Sequence, residues 1–367
     1  MIIGIPKEIK DNEQRVSLTP FGVSELVKLK NKVYVQKNAG IGSGFSNDDY
    51  LNSGAYILDT LEEVYKKSKL IIKVKEPQDN EIKLINSEHI IFTFFHFAAS
   101  ETLTNGIISS GCTAIAYETV QSPDGSLPIL IPMSEVAGRM SVQNGAKCLE
   151  ANMKGKGKLL GGVPGVDSST VTILGGGIVG TNAAKLAAGL GAKVYILDVN
   201  MKRLRYLDEI MPANVQTIHS NHQNISNLLS YTDLLIGSVL IVGSKAPNLV
   251  SKSMLKLMNK GSVIVDVAVD QGGCVESCLP TTHKNPTYLV EDIVHYCVSN
   301  MPGSVPYTST LALTNVTLPY IKELSVNFKN INSFKSGINI SNGQVNHEGV
   351  ASAFNLDFKP ISWFLYL

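Results

Sequence analysis

The stretch Val171-Thr-Ile-Leu-Gly-Gly-Gly-Ile-Val-Gly180, continued to Val194-Tyr-Ile-Leu-Asp198, decides the fold. An apolar, β-branched run (Val171 to Leu174) meets Gly175-x-Gly177-x-x-Gly180. A helical stretch of small residues follows, then a second apolar run closed by Asp198. Strand, glycine turn, helix, strand and acid together make the dinucleotide-binding fingerprint in its full setting. Gly175 permits the tight turn, Gly177 lets the backbone approach a pyrophosphate, and Gly180 lets the helix lie close on the sheet. The helix N-terminus at Ile178 and Val179 adds the positive end of its dipole. Asp198 follows the last glycine by about 18 residues, where a carboxylate takes both ribose hydroxyls of NAD and repels a 2′-phosphate. NAD is therefore the expected cofactor, although Lys202 and Arg203 just beyond Asp198 keep NADP open.

Working outward, 367 residues leave room for two domains of ordinary size. Lys and Arg number 32 against 31 Asp and Glu, and no long charge block occurs, so neither a nucleic-acid nor an anionic-membrane footprint is present. The opening Met1-Ile-Ile-Gly-Ile-Pro-Lys7 lacks the basic segment and long apolar core of a secretion signal and reads as a first strand. Apolar stretches such as Leu234 to Gly243 fall short of the ~20 residues that span a bilayer. Five scattered cysteines (Cys112, Cys148, Cys274, Cys278 and Cys297) imply reduced thiols in a cytoplasmic protein. Cys274 and Cys278 lack a second half-site, so no metal is expected there.

Strand-like runs alternate with helical stretches along the chain, which implies parallel sheet. Strands are expected at Ile2–Ile5, Val33–Gln36, Leu70–Val74, Ile90–Phe94 and Thr113–Tyr117, with helices such as Phe21–Leu29 and Leu61–Lys67 between them. After the fingerprint come Asp233–Gly237, Ser262–Val267 and Thr287–Val290. The fold class is α/β, with two doubly wound (Rossmann-like) parallel-sheet domains and a cleft between them that ligands face at the strand ends. Asp124-Gly125 and Pro128 to Pro132 look like a crossing from the first domain to the second, Pro302 to Pro306 like the crossing back, and Thr308 to Leu324 like a returning helix. This gives a substrate or catalytic domain over 1–128 plus 307–367 and an NAD-binding domain over 129–306. The closing Ile361 to Leu367 is a small tail, too short for an anchor.

Polar residues at strand ends are candidates for chemistry. Lys75 follows Leu70-Ile-Ile-Lys-Val, His96 ends Ile90-Ile-Phe-Thr-Phe-Phe, and Asp270 ends Val263-Ile-Val-Asp-Val-Ala-Val. Arg15 sits just past the first strand. Alone, each has a bland reading: a half-buried histidine, a turn-opening aspartate and two surface cations. The fingerprint raises the functional reading of all four, because a nicotinamide needs a substrate site beside it. Asp266, inside its strand, reads as structural, holding neighbouring backbone.

From here a family resemblance covers nearly the whole chain. Gly4-x-Pro6-x-Glu8, Glu13-x-Arg15-Val16, Thr19-Pro20, Lys73-Val-Lys75-Glu-Pro77, Tyr117-Glu-Thr-Val-Gln121 and Pro132-Met-Ser-Glu-Val-Ala-Gly-Arg139 carry it. Gly161-Gly-Val-Pro-Gly165, Asp266-Val-Ala-Val-Asp-Gln-Gly-Gly273, Asn300-Met-Pro-Gly303 and Ala312-Leu-Thr-Asn315 extend it. The chain resembles bacterial alanine dehydrogenases and their relative, the transhydrogenase NAD-binding subunit, with the His96 and Asp270 contexts on the dehydrogenase side. The resemblance implies NAD-dependent oxidative deamination of L-alanine to pyruvate and ammonium. His96 and Asp270 become the acid/base pair and Arg15 and Lys75 the substrate binders. Cofactor contacts are implied from Ser134, Asp198, Arg203, Ser220, Val239, Leu240, Val267, Ala268, Asp270, Asn300 and Met301, besides Gly175, Gly177, Ile178, Val179 and Gly180. It also implies a homohexamer, with neither nucleic-acid nor membrane partner. Three departures stand out. Cys278-Leu279 replaces the usual Ser-Arg before Pro280-Thr-Thr282. Asn327 stands where some relatives place a metal-binding histidine opposite Glu118, so no metal is assigned. The tail beyond Phe358 has no family counterpart. A transhydrogenase-like NAD(H)-binding subunit and a non-catalytic NAD-binding protein are the alternatives.

Overall fold

The computed structural model describes residues 1–239, 246–326 and 334–361. The chain divides into two compact units, Met1–Met133 with Val305–Leu367, and Ser134–Ser304.

The first unit is built on a mixed sheet of order β15-β14-β6-β5-β4-β1-β2-β3. Its strands are β1 (Ile2–Ile5), β2 (Lys32–Gln36), β3 (Tyr56–Leu58), β4 (Leu70–Ile72), β5 (Ile90–Thr93), β6 (Thr113–Ala116), β14 (Ile338–Ser341) and β15 (Gln344–Val345). The six strands from β1 to β6 pair in parallel, with β14 antiparallel to β6 and β15 antiparallel to β14. Central strands are apolar on both faces, as burial by helices on either side demands. Ile71, Ile91, Phe95, Ile107, Ala114 and Ile340 form one buried cluster.

The second unit carries a sheet of order β12-β13-β11-β10-β7-β8-β9. Its strands are β7 (Thr170–Leu174), β8 (Lys193–Asp198), β9 (Val215–His219), β10 (Leu234–Gly237), β11 (Val263–Asp266), β12 (Thr287–Val290) and β13 (Ile293–Tyr296). All pair in parallel except β12 and β13, which form an antiparallel hairpin. The helix Ile178–Gly189 follows β7 and buries Ala183, Ala184 and Ala187 completely. Such small side chains let a helix axis approach the sheet closely.

The expected elements are present, with changed limits. Leu70–Val74 ends as a strand at Ile72 and Ile90–Phe94 ends at Thr93. The expected crossing near Pro132 lies inside a helix, Ile131–Cys148, and the returning helix runs Pro306–Val326. β3, β9, β13, β14 and β15 are additions to the sequence reading. Among the described residues no helix is long and apolar enough to cross a membrane.

Candidate active site

In the first unit the parallel strands β6, β5, β4 and β1 are consecutive, so the loops that follow them leave one edge of the sheet. These loops deliver Glu118, His96, Lys75 and Arg15 respectively. Arg15 is 2% exposed. Its Nε donates to Glu13 Oε1 at 2.7 Å, one terminal nitrogen reaches Glu13 Oε2 at 2.5 Å, and the other lies 3.2 Å from the Met133 sulfur. A two-bonded fork of this kind fixes the guanidinium plane. Lys75 is half-buried, and its ammonium is pushed below the usual lysine range, first by burial and then by the positive charges of Arg15 and Lys10. Arg15 and Lys75 are therefore electrostatic neighbours, with Glu13 and Glu76 countering part of their charge.

His96 is exposed and adopts the left-handed backbone conformation (φ 51°, ψ 43°). Its ring stacks on Phe94, with centroids 5.8 Å apart and planes within 3°. Behind these loops lies a buried ionic cluster. The Lys73 Nζ is 2.7 Å from Glu81 and 3.1 Å from Glu8, and Glu8 also accepts the Val74 N–H at 2.6 Å. Burial pushes the Glu8 carboxyl up to about 7, against the lowering effect of Lys73.

In the second unit Gly175 has φ 101°, a backbone that favours glycine. A Cβ on Gly180 would lie 1.9 Å from the Gly175 carbonyl oxygen, so only glycine fits that close approach. A Cβ on Gly177 would meet nothing within 4 Å, and no side chain caps the helix that starts there. Exposed Gly177 and Ile178 and half-buried Val179 thus leave the helix N–H groups facing open space, as a pyrophosphate requires.

The turn is braced from β8. Asp198 Oδ2 accepts the Gly176 N–H at 2.8 Å, and Oδ1 accepts that of Asn200 at 2.8 Å. Arg203 Nε donates to the Gly176 carbonyl at 2.6 Å, and a terminal nitrogen donates to Thr181 Oγ1 at 2.7 Å. The guanidinium therefore holds the turn. The residues present fit a dinucleotide.

The other expected contacts occupy loops that leave the sheet. Half-buried Ser220 donates its N–H to the Asp198 carbonyl at 3.0 Å. Val239 N–H points to the Cys274 sulfur at 3.4 Å, and Val267 N–H donates to the Gly237 carbonyl at 2.8 Å. Ala268 N–H is held by Asp266 Oδ1 at 3.0 Å, while Asp266 Oδ2 accepts from Cys274 and Val275. Asp266 is thus the structural residue expected, with burial raising its carboxyl to about 6. Exposed Asp270 accepts the Ser299 hydroxyl at 2.5 Å. Asn300 (φ 61°) opens the turn that carries buried Met301. Ser134 is half-buried on the helix Ile131–Cys148. Leu240 and Asn327, and 362–367 of the tail, lie outside the described residues. Leu279, in place of the usual arginine, is 65% exposed, with its N–H on the Tyr288 hydroxyl.

The sequence reading missed Glu13 and Ser299 as the partners of Arg15 and Asp270, and considered Glu118 only for a metal, not as the partner of the His96 backbone. Only Glu13 carried a local signal, being an opposite charge two residues from Arg15 in the same loop. Among the described residues no group of three metal-type side chains occurs.

A family model described as alanine dehydrogenase/PNT, N-terminal domain, matches residues 4–137, and the corresponding C-terminal domain model matches 141–349. The chain is 52% identical over 366 residues to an alanine dehydrogenase of Methanococcus maripaludis, covering 98% of both chains. It is 51% identical over 367 residues to an alanine dehydrogenase of Staphylococcus epidermidis, covering 98% of this chain and 99% of that one. A solved L-alanine dehydrogenase matches with TM-score 0.94 at 47% identity, over 97% of this chain and 99% of its own. A transhydrogenase from Sinorhizobium meliloti shares the fold, with TM-score 0.81 at 23% identity over 95% and 99%.

Proposed function

The chain belongs to the alanine dehydrogenase/PNT family, and from that premise we propose that it is an NAD-dependent L-alanine dehydrogenase. The reaction is reversible: L-alanine, NAD⁺ and water give pyruvate, ammonium, NADH and a proton. The observation that carries this reading is identity near one half, over 98% of the chain, to proteins of that name. The open glycine turn and the strand-end set of the first unit supply matching chemistry.

When bound, NAD supplies the hydride acceptor. The turn from Gly175 to Gly180 holds its pyrophosphate and Asp198 its ribose, with Ser134, Arg203, Ser220, Val239, Leu240, Val267, Ala268, Asp270, Asn300 and Met301 as further contacts. Residues 129–306 are the NAD-binding domain, and 1–128 with 307–367 the substrate domain.

Arg15 holds the substrate carboxylate, and Lys75 contacts a carboxylate or carbonyl oxygen and stabilises charge developing there. Both orient the Cα hydrogen, from which much of the rate would come. His96 moves protons as the amine becomes a ketone, a task suited to an imidazole near neutral pH. Asp270, kept in place by Ser299, orients or activates the water that adds to the carbon. The enzyme acts in the cytoplasm as a homohexamer.

NADH absorbance, followed with pyruvate and ammonium together and then with each omitted, tests the reading. Loss only in the complete mixture is expected. A protein that binds NADH and never consumes it under these conditions overturns it.

A further inference from the structure

Resting on the reading of His96 as the acid/base group, we propose that Glu118 is its positioning residue. It acts by gripping the backbone beneath the imidazole. Glu118 Oε1 accepts the His96 N–H at 2.6 Å, and both Glu118 oxygens lie 3.2 Å from the Phe95 nitrogen. Two successive N–H groups aimed at one anion form a nest, and here the chain supplies its own anion.

That arrangement explains how His96 keeps a left-handed backbone, which residues other than glycine seldom adopt. Glu118 reaches the nest because β5 and β6 pair in parallel with Thr93 opposite Ala116, which sets the residues after each strand side by side. The neighbouring Tyr117 completes the device. Its ring meets Phe94 edge-on at 5.1 Å, and Phe94 carries the imidazole on its face. Adjacent residues after β6 therefore fix both the backbone and the ring plane of His96. Glu118 need not touch substrate to matter, since an ångström of misplacement at a reacting group costs about a hundredfold in rate.

Three variants separate positioning from a role for the charge itself. Glu118→Gln keeps the length and an oxygen that accepts both N–H groups. Glu118→Asp keeps the charge but falls a methylene short. Glu118→Ala removes both. We expect kcat to fall about 30- to 100-fold for Asp and Ala and to stay within about fivefold for Gln, with the NADH KM within about twofold throughout.

If Ala does not fold, the order of Gln above Asp still decides. Asp above Gln would make the charge the essential feature, as for a metal ligand or a proton carrier, and would overturn the proposal. So would Gln as impaired as Ala, or Asp and Ala close to the unaltered chain. An unaltered chain without alanine turnover would instead refute the functional reading on which this rests.

Discussion

Lys73→Met is a demanding test of how the strand-end loops are supported. Lys73 is wholly buried and bonds Glu81 at 2.7 Å and Glu8 at 3.1 Å, and both of those carboxylates are equally out of water. Each pair near 3 Å gains about 5 kcal/mol at an effective dielectric of ~20, most of which offsets the desolvation of the ions. Removing one partner forfeits the gain and leaves the desolvation, so the loss is about 3–5 kcal/mol.

The sign of the pH dependence follows from Glu8, whose folded value is raised from 4.5 to about 7. Between those values the native state binds a proton that the unfolded chain has lost, so this group's contribution to stability falls as pH rises through the window. Lys73 lowers the Glu8 value, so its removal raises that value further and widens the window. The Glu8 part of the variant's deficit therefore sets in only as pH rises above about 7, because below that both native states hold the proton. Melting followed by circular dichroism at pH 7.5 should show a transition about 10 °C lower for a unit of roughly 200 residues. A shift under about 2 °C at pH 7.5, or a shift no larger at pH 9 than at pH 6, would refute the reasoning.

Other substitutions test the site directly. His96→Ala and Asp270→Ala should each lower kcat by about 10²–10⁴ while NADH binding, read by fluorescence, persists; near-normal kcat in either removes that residue from its role. Arg15→Lys should raise the pyruvate KM about ten- to a hundredfold, since an ammonium cannot reproduce the fork, and an unchanged KM excludes Arg15 from the substrate site. Gly180→Ala forces a methyl to within 1.9 Å of the Gly175 carbonyl oxygen. Overpacking of that kind should weaken NADH binding about tenfold in a fluorescence titration, and an unaltered affinity would show that the turn is not used.

What could be read in advance was what neighbouring residues encode. The fingerprint, the parallel strands and the strand-end positions of His96, Lys75 and Asp270 are local patterns of apolar runs and glycines. The β12–β13 hairpin was hidden because its turn is Glu291-Asp292, both in the left-handed region (φ 51° and 59°), where Asn-Gly is the usual signal. β4 and β5 end at Ile72 and Thr93, and just beyond them side chains take backbone groups. Glu8 accepts the Val74 N–H, and Glu118 accepts those of Phe95 and His96. Lys75 and Arg15 read alone as ordinary surface cations, yet Arg15 is buried and Lys75 half-buried, and partners arrive near them that spacing does not announce. Buried Lys73 likewise meets Glu8 from 65 residues away.

The central claim is hydride transfer to or from the α-carbon of alanine, and isotope transfer tests it most directly. The purified chain is given pyruvate, ammonium and NADH deuterated on the transferable face of C4, and the products are read by mass spectrometry and chiral chromatography. The account predicts L-alanine bearing one deuterium at Cα, formed in step with NAD⁺. Unlabelled or absent alanine, or deuterium found instead in lactate, would contradict it.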